Sequence, residues 1–114
     1  MTTVYHYPKC RKSRAGLQYV QSLDADVKVR EYIREGIAVA ELRDIVRMLG
    51  VAPFQLVRTT EDYYRENLKG KELSDEQWLN LLSEHPRLLR RPIVVNNGRA
   101  VVADPPEKAG EIIK

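Results

Sequence analysis

Apolar positions change their spacing along the chain, and each change marks an element. Val4 and Tyr5 close a short extended run that predicts a first strand over residues 2–6. From Arg11 to Leu23 the spacing is helical, with Ala15, Leu17, Tyr19 and Val20 as packing candidates. Residues 27–32 alternate, with Val27, Val29 and Glu31 on one face and Lys28, Arg30 and Tyr32 on the other, which predicts a second strand. A strand, helix and strand of this size imply parallel pairing through a right-handed crossover.

A helical middle follows. Val39, Leu42, Ile45, Val46 and Leu49 recur at helix spacing, and Gly50 ends the run. Pro53 suits the first position of a short helix over residues 54–57, and Tyr63 and Tyr64 start another turn. Ser74-Asp75-Glu76-Gln77 is a capping box for a helix carrying Trp78, Leu81 and Leu82, which His85 and Pro86 stop. Then Pro92–Asn96, Asn97-Gly98 and Arg99–Val102 read as a hairpin, because Asn-Gly supplies the positive φ that a two-residue turn needs. Asp104 and the prolines after it read as the N-cap and start of a last helix through Ile113. The fold class is therefore α/β. A mixed four-stranded, thioredoxin-like (glutaredoxin-like) sheet is expected within one domain over residues 1–114, with a helical insert at about 34–86 between the β-α-β and β-β-α halves.

Composition narrows the function. An apolar content of 43% and a charged content of 31% fit an ordinary globular domain, and no run approaches the roughly 18 apolar residues a bilayer span requires. No membrane association is expected. The net charge of +3 is mild, and no Lys/Arg block interleaves with aromatics, which argues against nucleic-acid binding. The single cysteine excludes an internal disulfide, and no signal-peptide pattern opens the chain, so a cytoplasmic location is expected. One cysteine and two distant histidines do not make a metal-ligand set.

That cysteine carries the chemistry. In His6-Tyr7-Pro8-Lys9-Cys10-Arg11-Lys12-Ser13-Arg14, Cys10 falls where a strand-following loop gives way to a helix. Unpaired amides and partial positive charge at a helix start stabilise a thiolate and lower its pKa. Lys9, Arg11, Lys12 and Arg14 push the same way. The same features attract a tetrahedral oxyanion. Ser13, one turn on, is either a polar helix residue or a hydrogen-bond donor to the thiolate. His6 is either a loop residue packed over the helix start or a polarising group beside the sulfur.

Three segments together resemble the glutaredoxin-coupled arsenate reductase (ArsC) family: Tyr5–Cys10 with Ser13 and Arg14; Leu56-Val57-Arg58; and His85-Pro86 through Arg91–Val95. The resemblance covers nearly the whole chain. It implies that Cys10 attacks arsenate with loss of water, that glutathione as co-substrate attacks the adduct, and that a glutaredoxin completes the reduction to arsenite, with no bound cofactor. It assigns Arg58 and Arg91 to the oxyanion, with Arg14 a further candidate, and His6 and Ser13 to the nucleophile. It also implies a cis peptide bond before Pro92. Family members carry a third arginine just before the final helix; here the nearest position is Asp104, and Arg99 or Arg11 would have to replace that charge. Two rival functions fit the same fold. One is a glutathione-linked thiol oxidoreductase that needs no oxyanion clamp. The other is an Spx-type regulator that binds RNA polymerase; those switches resemble C-x-x-C proteins, and Ser13 removes the second sulfur.

Overall fold

In the computed structural model, which describes residues 1–113, four short strands make one mixed sheet in the order β2-β1-β3-β4. β1 (Thr2–Tyr5) pairs parallel with β2 (Val27–Arg30) and antiparallel with β3 (Ile93–Asn96), which places Val4 between Val29 and Val94. β4 (Arg99–Val102) completes the hairpin, with Asn97 at φ 50° and Gly98 at φ 76° in its turn. Helix α1 (Arg11–Leu23) is the crossover between the parallel strands. The sheet order and its two halves are thioredoxin-like.

The chain divides into two compact units, one formed by Met1–Glu35 with the segment from Arg91 onward, the other by Gly36–Arg90. In the first unit, α1 and a closing 3₁₀ helix (Pro106–Glu111) cover the sheet. Val4, Val20, Val94, Ala103, Ala109 and Ile112 are its buried core. On α1, Leu17, Tyr19 and Val20 pack into the core as expected, but Ala15 is exposed, and the fully buried positions are Ser13, Gly16 and Val20. Small residues are required there because Pro92 crosses this face: a Cβ on Gly16 would stand 2.4 Å from the Pro92 Cγ.

Several boundaries also moved, two of them for a visible reason. The second strand ends at Arg30, because the Glu31 carbonyl accepts from the amides of Arg34 (3.1 Å) and Glu35 (2.9 Å). That turns the chain into α2 (Tyr32–Glu35) with the Tyr32 ring fully buried. At the far end Asp104 is not a cap. The closing helix is 3₁₀ and has Pro105 at its N-cap, one residue later than expected. The Asp104 carboxylate bonds the Lys12 ammonium on α1 instead, at 3.1 Å. The closing helix is tied to the sheet by Asn96, whose buried Nδ2 donates to the Ile112 carbonyl at 2.8 Å.

The second unit comprises α3 (Val39–Leu49), a 3₁₀ turn (Pro53–Leu56), α4 (Asp62–Asn67), α5 (Asp75–Glu84) and a 3₁₀ turn (Pro86–Leu88). Gly50 ends α3 at φ 68°, a left-handed conformation that leaves its amide bonded to Val46 and Arg47. The Ser74 box opens α5 as the sequence predicts, Ser74 and Gln77 bonding each other's amides. Leu42, Ile45, Leu56, Trp78, Leu82, Leu88 and Leu89 are buried in this unit. Its Val57–Leu89 bridge, with Arg58 N–H on the Leu88 carbonyl at 2.6 Å, fixes the backbone at Arg58.

The Pro92–Gly16 contact makes a direct prediction. Gly16→Ala should lower stability by up to about 2 kcal/mol, since overpacking costs about 1–3 and the alanine returns roughly 1 in helix propensity. Urea unfolding measures it; a gain of about 1 kcal/mol, the full helix-propensity return, would remove the contact from the account of how α1 is seated.

Candidate active site

β1 delivers the chain to the site. One residue past it, the His6 amide donates to the Arg30 carbonyl at 2.8 Å, and the loop then turns toward α1. Cys10 is the N-cap residue of α1, extended at φ −102° and ψ 124°. Its amide donates to the Tyr7 carbonyl (3.0 Å) and its carbonyl accepts from the Arg14 amide (3.0 Å). The half-buried sulfur therefore stands at the open end of a 13-residue helix, where the first amides have no acceptor within the helix.

Burial pushes the Cys10 thiol pKa up. The Ser13 amide, the Arg91 guanidinium by hydrogen bond and by charge, and the Lys12 amide together outweigh it, and the pKa falls below the ordinary 9.0. The side-chain charge responsible is that of Arg91, not of the basic residues adjacent in sequence. Lys12 is paired with Asp104, and Arg14 donates to the Pro8 carbonyl at 2.8 Å, bracing the loop.

His6 and Ser13 meet, both buried, with Nδ1 and Oγ 2.8 Å apart. The same Oγ accepts from the Tyr7 amide at 2.9 Å. Ser13 thus locks the loop through its hydroxyl and reaches the sulfur through its backbone. Burial lowers the His6 pKa from 6.5 against the pull of Glu31 and the hydrogen bond to Ser13, with Arg14 also lowering it, so the imidazole is neutral at pH 7. A neutral ring offers Nδ1 as donor or acceptor, and in the second case it takes the only hydroxyl proton Ser13 has.

Arg91 is delivered from the other end of the chain. It precedes β3 and is followed by Pro92, which rests on Gly16; the Arg91–Pro92 bond is cis. The Arg91 guanidinium lies over the Tyr7 ring, its carbon 4.9 Å from the ring centroid. Tyr7 lay within the segment that carries the family resemblance but drew no role of its own, because its partner is 84 positions away. Cys10, His6, Ser13, Arg14, Arg91 and Pro92 thus all belong to the first unit. Arg58 belongs to the second, where its guanidinium is ion-paired with Glu61. Among the described residues no group of three or more His, Cys, Asp or Glu side chains is arranged to hold a metal ion, and no helix is long and apolar enough to cross a membrane.

Comparison with known proteins agrees over the full length. Residues 5–112 match the model of the ArsC family. The chain is 34% identical over 112 residues to the arsenate reductase of Haemophilus influenzae, covering 96% of this chain and 97% of that one. It is 38% identical over 112 residues to the uncharacterized protein YfgD of Escherichia coli, covering 96% and 94%. The solved structure of an arsenate reductase from Vibrio cholerae superposes with a TM-score of 0.91 at 37% identity, covering 97% and 96%.

The sulfur's surroundings predict its titration. The thiolate is the reacting form, so the rate of Cys10 alkylation by iodoacetamide should rise with pH through a midpoint below 9.0. Arg91→Ala removes the cation and should move that midpoint to higher pH. A midpoint untouched by Arg91→Ala would detach Arg91 from the sulfur.

Proposed function

This chain belongs to the ArsC family, and on that footing we propose that it reduces arsenate to arsenite through its one cysteine. The observation that carries the proposal is a thiol of lowered pKa at a helix start with a guanidinium on it. The Cys10 thiolate attacks the arsenic atom, an arsenate oxygen takes protons and leaves as water, and a sulfur–arsenic bond remains. Arsenic is still pentavalent at that point. Taking it to the trivalent state needs two electrons, which a pair of thiols supplies on becoming a disulfide. The chain has one cysteine, and it is bonded to arsenic, so both reducing thiols come from outside. Glutathione adds to the arsenic of the adduct with loss of a second water. A glutaredoxin thiolate then attacks the glutathione sulfur, forming a glutathione–glutaredoxin disulfide and leaving the electron pair on arsenic. Water cleaves the remaining Cys10 sulfur–arsenic bond, releasing arsenite and the free thiol. The reaction belongs in the cytoplasm, where both reductants are maintained.

The residues divide this work in a consistent way. The amides of Lys12 and Ser13 and the Arg91 guanidinium stabilise the thiolate before attack, and the oxyanion's charge once it arrives. An arginine fork suits paired oxygens on one tetrahedral atom. His6, neutral and held by Ser13, keeps the loop in register without adding a charge.

One observation favours a second function, a glutathione-linked thiol oxidoreductase acting on a disulfide. Lys12, two residues from the thiol, has its charge matched by the Asp104 carboxylate, which reduces the positive field available to a small dianion. A coupled assay with glutathione, glutaredoxin and glutathione reductase separates the two. Arsenate-dependent NADPH consumption is expected, with Cys10→Ser falling to the enzyme-free rate. Arg91→Ala should raise the KM for arsenate roughly tenfold or more, the equivalent of one charge-assisted hydrogen bond. Turnover of a glutathione mixed disulfide without any response to arsenate would select the second function. Full activity in Cys10→Ser would end both.

A further inference from the structure

The loop before Cys10 holds one aromatic ring in an unusual position for a surface turn. Both backbone groups of Tyr7 are engaged with the site: its amide donates to Ser13 Oγ at 2.9 Å, and its carbonyl accepts from the Cys10 amide at 3.0 Å. With its main chain fixed at both ends, the half-buried ring has a fixed base. The guanidinium of Arg91 lies 4.9 Å from the centre of that ring, within the range of a cation–π contact. Arg91 is also fixed on its C-terminal side, because Pro92 is wedged against Gly16. A long arginine side chain has many rotamers, and a charge is useful at a sulfur only when it stays there. The ring face restricts the guanidinium to a layer above the loop that carries Cys10.

We infer that Tyr7 is a positioning residue, its ring acting as the platform that keeps the Arg91 guanidinium at the Cys10 sulfur. The inference rests on Cys10 reacting as a thiolate, and not on which oxidised substrate the enzyme takes. The lowered thiol pKa, which depends on Arg91, agrees with it. The ring face is what matters, since the phenol hydroxyl is not required for a cation–π contact.

Alkylation of Cys10 by iodoacetamide across pH tests this on the full chain without any arsenate, so its failure is distinguishable from failure of the reductase proposal. Tyr7→Leu should raise the midpoint by roughly 0.3–0.7 pH unit, equivalent to a two- to fivefold loss of thiolate below it. Tyr7→Phe, which keeps the ring, should leave the midpoint at the wild-type value. In an Arg91→Ala background Tyr7→Leu should add nothing, because the ring then has no cation to hold. Wild-type behaviour in Tyr7→Leu would overturn the inference. So would an equal shift in Tyr7→Phe, or a Tyr7→Leu shift that persists without Arg91. If Tyr7→Leu does not fold, Tyr7→Trp supplies the test: a larger π face should hold the midpoint or lower it, and a rise refutes the platform.

Discussion

A thiolate half withdrawn from water survives only where positive potential reaches it, and two sources supply that potential here. One is the open end of α1, whose first amides have no acceptor within the helix. The other is Arg91, brought in from beside β3. The first is local and follows from a cysteine at an N-cap. The second exists only because β3 pairs with β1 in the middle of the sheet, which puts the residue before β3 next to the loop that follows β1. Burial opposes both by disfavouring charge, so the lowered pKa is a net result of competing effects.

Packing serves that electrostatic arrangement. Ser13, Gly16 and Val20 form the inner stripe of α1, and two of the three are small. Ser13 is small and polar because its hydroxyl must meet His6 and the Tyr7 amide in a space closed to solvent. Gly16 has no side chain because Pro92 occupies the place of its Cβ. The same close approach that seats α1 on the sheet therefore fixes the residue beside Arg91. Stability and reactivity share one contact, and neither can be adjusted there without the other.

Much of the fold was legible from pattern and punctuation. Helix α1, the Gly50 stop, the Ser74 box and the Asn97-Gly98 turn depend on interactions within a few residues, which local sequence encodes. The strands announce themselves by apolar pattern even though their pairing is long-range. The misjudged boundaries had both local and remote causes. Tyr32 left the strand for a turn closed on Glu31 and a buried seat for its ring. Asp104 gave up a capping position for Lys12, 92 residues away. Ala15 is exposed although its neighbours Leu17, Tyr19 and Val20 pack on the core, and the helix face against Pro92 is taken by Gly16.

Sequence alone singled out the candidate nucleophile and the reason for it: one cysteine, at an expected helix start, in a basic neighbourhood. It did not determine which of those basic residues act. Neighbours in sequence point wherever the helix and loop direct them, and Arg14 and Lys12 are directed to Pro8 and Asp104. Arg91 was named by the family resemblance, but setting it beside the sulfur and supplying Tyr7 beneath it required the sheet to close, because electrostatic stabilisation falls off with distance in space and takes no account of distance along the chain.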